Sequence, residues 1–160
     1  MTCDGTPMAP YNATSVAAAA KLAASADRVI LVVGNGLGLA AEGHDASNIS
    51  FPEGQSRLIE AVAAAAKLPV IVVTMTANAL DIKAILQNPK VGAILHAGEP
   101  ADSSLGVADC IFGARAPAGR MIQTIYPPGV HQRSTRARCC TIYLLGVLLL
   151  LRATIYRYYH

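Results

Sequence analysis

Apolar residues fall along this chain in two alternating rhythms. From Ser15 to Ala26 the sequence is Ala-rich, with Lys21 and Asp27 directed to solvent and Thr14 or Ser15 placed as an N-cap, so a helix is expected. Arg28 to Val33 (RVILVV) has no alternation, which is the pattern of a short parallel strand buried on both faces in the centre of a sheet. Leu58, Ile59, Val62 and Ala66 then recur at helical spacing in a segment that opens near Pro52 or Glu53 and is stopped by Pro69. Pro69 to Thr76 (PVIVVTMT) repeats the strand pattern. Asp81 to Leu86 reads as a short helical turn ended by Asn88-Pro89, and Val91 to His96 (VGAILH) as a third strand. A helix over about Ser103 to Phe112 and an edge strand around Met121 to Ile125 complete the pattern.

Strands separated by helices imply crossover connections. The expected fold class is therefore α/β, a mostly parallel sheet with helices on both faces, in three layers. Open sheets of this kind bind ligands at the carboxyl ends of their strands. The segment after the first strand, Gly34 to Pro52, holds four Gly and no periodicity, and it is long for a connection in a compact domain. Chemistry is expected there.

Composition narrows the class of function. With 53% hydrophobic and 14% charged residues in 160, the chain is globular and long enough for one buried core. The formal charge of +3 is unevenly distributed. Met1 to Val130 carry 8 Lys or Arg against 10 Asp or Glu, a net −2, whereas His131 to His160 carry five Arg and no acid. No basic face is interleaved with aromatics and Trp is absent, which argues against a nucleic-acid partner. Cys3, Cys110, Cys139 and Cys140 form no CxxC pair and no metal-ligand spacing, so neither a metal nor a cofactor is expected. The start, MTCDGTPMAPYNATS, lacks the basic and apolar runs of a signal peptide, and secretion would need a signal upstream of Met1.

Within the long loop, Gly34-Asn-Gly36-Leu-Gly38 follows a strand directly, but its spacing is GxGxG and no helix opens at Gly38 to receive a phosphate. Ala41-Glu42-Gly43-His44-Asp45 is more informative, with two carboxylates and an imidazole in four residues. Taken alone it fits a solvated loop as well as a site.

Its surroundings resemble the C-terminal domain of family 3 glycoside hydrolases of the β-glucosidase and β-xylosidase type. The resemblance rests on Val32-Val33-Gly34, Glu42-Gly43-His44-Asp45, Ile49-Ser50-Phe51-Pro52 with Gln55, Asn88 to Leu95, Ala108 to Gly113 and Ala116 to Pro127, which occur in the family's order. It covers about Ala18 to Pro128. Family members are retaining hydrolases of terminal β-linked glucosides or xylosides. The resemblance implies that Glu42 is the catalytic acid/base and that His44 and Asp45 hold the loop or bind substrate hydroxyl groups. It also implies an extracellular setting and a nucleophile supplied by an N-terminal (β/α)₈ barrel, a partner of about 250 residues that this chain cannot contain. The isolated chain is then expected to be inactive. Ala46 stands where the family commonly has Arg, and His96-Ala97-Gly98-Glu99-Pro100 replaces the family's aromatic AGYPG ending, which puts substrate choice in question more than fold.

The domain organisation that follows is an N-terminal segment at 1–14, the α/β domain at 15–128 and an atypical basic and apolar tail at 129–160, outside the domain. The tail's apolar core, Thr141 to Leu151, is about half the length a membrane-spanning helix needs, so no membrane span is expected. The alternative function is a non-catalytic α/β module descended from such a domain and keeping a carbohydrate- or protein-binding surface.

Overall fold

Asn12 caps the first helix, two residues ahead of the expected Thr14 and three ahead of Ser15. Its side-chain oxygen accepts hydrogen bonds from the N–H groups of Thr14 at 3.0 Å and Ser15 at 3.2 Å, so α1 runs Ala13–Ser25. An Asn that satisfies two otherwise orphaned amides outcompetes hydroxyls placed further on. The computed structural model describes residues 11–36, 41–43, 46, 48–121 and 124–125. After α1 come β1 (Ile30–Gly34), α2 (Glu53–Ala65), β2 (Val70–Met75), α3 (Lys83–Leu86) and β3 (Val91–Gly98). A 3₁₀ turn at Ala101–Ser103 leads into α4 (Ser104–Ile111).

The three strands form one parallel sheet in the order β1-β2-β3, as the apolar runs implied. The strand in the centre is β2, and β1 lies at the edge of the described sheet. Consequently Val72 and Val73, on opposite faces of β2, are both buried, whereas Val32 of β1 keeps 55% of its surface exposed. The edge strand expected around Met121 to Ile125 is absent at its described residues, Met121, Thr124 and Ile125, and the Met121 side chain is exposed there. The stretch 129–160 lies outside the described residues.

One face of the sheet carries the core. Val33, Val70 and Val72 pack with Ile59, Val62, Ala63 and Ala66 from α2 and its C-cap, Ala23 from α1, and Ile85 from α3. Full burial of a Val or Ile side chain contributes about 1.5–3 kcal/mol. Ala19 and Ala23 present only methyl groups from α1, so α1 can approach α2 closely. Lys67 then joins the two helix ends, its Nζ 3.1 Å from the Ser25 carbonyl oxygen and 3.3 Å from Asp27 Oδ1. Both partners of that ion pair are exposed, so its contribution is small.

Candidate functional site

The carboxyl ends of the three strands are aligned. Gly34 is in register with Met75 and Met75 with Gly98, and just beyond them the Thr76 N–H donates to the Gly98 carbonyl at 3.0 Å. The connections after β1, β2 and β3 therefore leave from one rim, the ligand-binding side of an open parallel sheet. At this rim the backbones are crowded. A Cβ on Gly34 would lie 1.7 Å from the Met75 carbonyl oxygen, so only glycine fits.

The loop that leaves β1 is anchored at both ends. Gln55, in the first turn of α2, accepts a hydrogen bond from the Gly34 N–H at 2.9 Å through Oε1 and donates to the Gly34 carbonyl through Nε2. Where the loop returns, the Asp81 N–H donates to the Ile49 carbonyl at 2.8 Å, and the Ser50 N–H donates to Asn48 Oδ1 at 2.9 Å. Its far end is thus tied to the segment that follows β2.

Glu42 sits between these anchors, in a turn whose next residue, Gly43, has a φ of +72°. A left-handed backbone of this kind favours glycine and lets the chain reverse immediately after the carboxylate. The Glu42 side chain is exposed. The ion pairs among the described residues use other acids: Glu53 with Arg57, Asp27 with Lys67 and Asp109 with Arg115. A carboxyl group that is accessible and not paired with a cation is able to exchange a proton with a bound molecule, which a locked ion pair cannot readily do. His44 and Asp45 lie outside the described residues. No group of three or more His, Cys, Asp or Glu side chains among the described residues is placed to hold a metal ion.

Further polar groups lie on the rim, of which the sequence marks only His96, as part of the changed ending of its strand. The buried Thr74 hydroxyl lies 3.1 Å from His96 Nδ1, and burial lowers the pKa of His96 below its usual 6.5. Thr76 Oγ1 donates to the Asn78 carbonyl at 3.0 Å and accepts from the Asn78 N–H at 3.1 Å, closing the turn after β2. Asn35, the first residue beyond β1, holds a buried Oδ1 with no hydrogen-bond partner among the described residues. Ala101, with a φ of +44°, strains the turn after β3 by about 1–3 kcal/mol. An Asn directly after a strand and a Thr/His pair at matching strand positions were the available signals, and both are common in ordinary loops and cores.

A model of the glycosyl hydrolase family 3 C-terminal domain matches residues 6–147 of the chain. A β-xylosidase/α-L-arabinofuranosidase 2 of Medicago sativa subsp. varia is 42% identical over 110 residues, which is 68% of this chain and 14% of that protein. Among solved structures, a family 3 exo-β-xylosidase in complex with a xylobiose aziridine activity-based probe superimposes with a TM-score of 0.73 at 31% identity. That match covers 80% of this chain and 17% of the xylosidase. The family 3 β-glucosidase of Bifidobacterium adolescentis gives a TM-score of 0.66 at 30% identity, over 74% of this chain and 17% of the enzyme. The chain thus spans a small fraction of the length of the proteins it matches.

Proposed function

The chain belongs to the glycosyl hydrolase family 3 C-terminal domain family, and from that premise we propose that it is one half of a retaining glycosidase acting on terminal β-linked xylosides or glucosides. In this reading Glu42 is the acid/base, and the nucleophile is a carboxylate on a (β/α)₈ barrel supplied by another segment or chain. His44 and Asp45 are proposed to steady the loop or to meet substrate hydroxyl groups.

The observation that carries the proposal is the setting of Glu42: exposed, without an ion-pair partner among the described residues, and on a loop tied at both ends to the carboxyl side of the sheet. A retaining hydrolase needs a carboxyl group that first protonates the departing glycosidic oxygen and then, as carboxylate, activates the water that cleaves the glycosyl-enzyme intermediate. Its partner carboxylate must stand about 5–5.5 Å away. Among the described residues, Glu42 is the only acid on the β1 loop, and no motif assigns the nucleophile's role to another acid of the chain. Hence the barrel. The names of the relatives support the substrate class, and the exposed apolar side chains of Ile30 and Val32 fit a domain that is covered by further protein.

The test is hydrolysis of nitrophenyl β-D-xyloside and β-D-glucoside by the chain alone and with a family 3 barrel domain added. No turnover alone and turnover with the barrel is the expected result. Binding of oligosaccharide or protein without turnover in either case would favour the non-catalytic module.

A further inference from the structure

We propose that Gln55 is a positioning residue for the candidate acid/base loop, acting as a detachable stand-in for a neighbouring strand at Gly34; the inference rests on the glycosidase reading only for the role of Glu42. The third residue of a helix can reach back to the N–H of its N-cap, but the N-cap of α2 is Pro52, which has no N–H to offer. The Pro52 carbonyl receives the N–H groups of Gln55 and Ser56, at 2.9 and 3.0 Å. The Gln55 amide instead spans to Gly34, accepting from its N–H and donating to its carbonyl.

Both polar groups of one strand residue exchanged with a single partner is the arrangement that a hydrogen-bonded pair in an antiparallel neighbour strand provides, compressed here into one side chain. It occurs at the last residue of β1, on the strand that forms the edge of the described sheet, where the backbone would otherwise have nothing to continue its pairing. The space that a Gly34 Cβ would take is filled by the Met75 carbonyl, so that side of Gly34 is closed. Met75 on one side and Gln55 on the other therefore fix the direction in which the chain leaves the sheet. Glu42 lies eight residues further on, directly after Ala41, which makes a β-bridge, and the Ile49 carbonyl ties the far end of the loop. Losing the Gly34 anchor would change the direction from which the chain reaches Glu42, and an acid displaced by about 1 Å protonates a leaving group poorly.

The chemistry of the clamp allows a test that packing alone would not pass. Toward Gly34 the Gln55 amide uses its oxygen as acceptor and one N–H of its NH₂ group as donor. A protonated carboxyl group presents the same pair on the same framework, whereas a carboxylate presents acceptors only and turns one of them toward the Gly34 carbonyl. Gln55→Glu should thus release the clamp at neutral pH and re-form it as the introduced carboxyl takes up a proton. Gln55→Met, similar in size and without either group, should release it at every pH.

The readout is amide hydrogen exchange of the chain from pH 7.5 to about 3.5, a range that spans the usual Glu pKa of about 4.3, corrected for intrinsic rates, at Gly34 and over the loop 35–50, with the core amides of Val72 and Val73 as the folding control. Gln55→Met should lose about tenfold in protection at Gly34 with the core amides unchanged. Gln55→Glu should match Gln55→Met at pH 7.5 and approach the parent as the pH falls through that pKa. With the barrel added, turnover by Gln55→Glu relative to the parent should rise over the same pH range, chiefly in kcat and not KM. A pH-independent Gln55→Glu profile, or unchanged Gly34 protection in Gln55→Met, overturns the proposal whatever Glu42 does. A Glu42→Ala variant that turns over normally would overturn the acid/base role instead, and the two outcomes are read in separate experiments.

Discussion

Thr74 on β2 and His96 on β3 are register partners, and the Thr74 hydroxyl meets His96 Nδ1 at 3.1 Å just inside the carboxyl rim of the sheet. The imidazole is partly desolvated there, which lowers its pKa from 6.5 and favours the neutral ring. The unfolded chain then binds more protons than the folded one as pH drops through 6.5, so stability falls with acidification and is recovered above that value. Urea midpoints of the parent and of His96→Gln, measured between pH 7.5 and 5, should diverge: the parent declines more steeply toward pH 5. Parallel declines would show that His96 pays no desolvation penalty in the fold.

Of the described glycines, Gly34 has the least room for a side chain. Gly34→Ala places a methyl group 1.7 Å from the Met75 carbonyl oxygen, an overlap that only separation of β1 from β2 relieves. Overpacking of this kind costs about 1–3 kcal/mol in cores that can adjust, and this contact is with backbone, so a loss at or above the top of that range is expected. Chemical denaturation measures it directly. A loss below about 0.5 kcal/mol would mean that the rim is more open than described.

The domain boundary is proposed at residue 128, with 129–160 as a tail outside it. The family match reaches residue 147, and the two boundaries predict different outcomes on truncation. Removal of 129–160 should change the melting temperature by less than about 2 °C, as expected when well under 1 kcal/mol is lost from a domain of this size. A fall of many degrees would place the tail in the core.

Much of the fold was legible because buried parallel strands leave an unmistakable trace. RVILVV, PVIVVTMT and VGAILH all form strands, pair in parallel and are joined through helices, as their apolar runs implied. The expectation that RVILVV is the central strand fails: β2 is central in the described sheet and β1 lies at its edge. Apolar content reports that a strand is built to be covered, and Val32 is exposed because β1 has a neighbour on one side only among the described residues. The N-cap at Asn12 was missed because Thr14 and Ser15 have the same capping chemistry and lay nearer the apolar periodicity. Glu42 was singled out through the resemblance of its loop to the family pattern, and its role stands as a proposal. The clamp between Gln55 and Gly34 could not be found from the sequence, because it depends on how closely the first turn of α2 approaches the end of β1, 21 residues away in sequence.

The central claim is the acid/base role of Glu42, and leaving-group dependence tests it most directly. General acid/base catalysis contributes about 10²- to 10⁴-fold, and it matters most where the departing oxygen is basic. With the barrel domain supplied, Glu42→Ala should slow turnover of alkyl and oligosaccharide β-glycosides by that factor. Glycosylation by activated aryl glycosides should be slowed far less, and azide should restore part of the deglycosylation rate by replacing the activated water. Unchanged turnover of the poor-leaving-group substrates by Glu42→Ala would contradict the account.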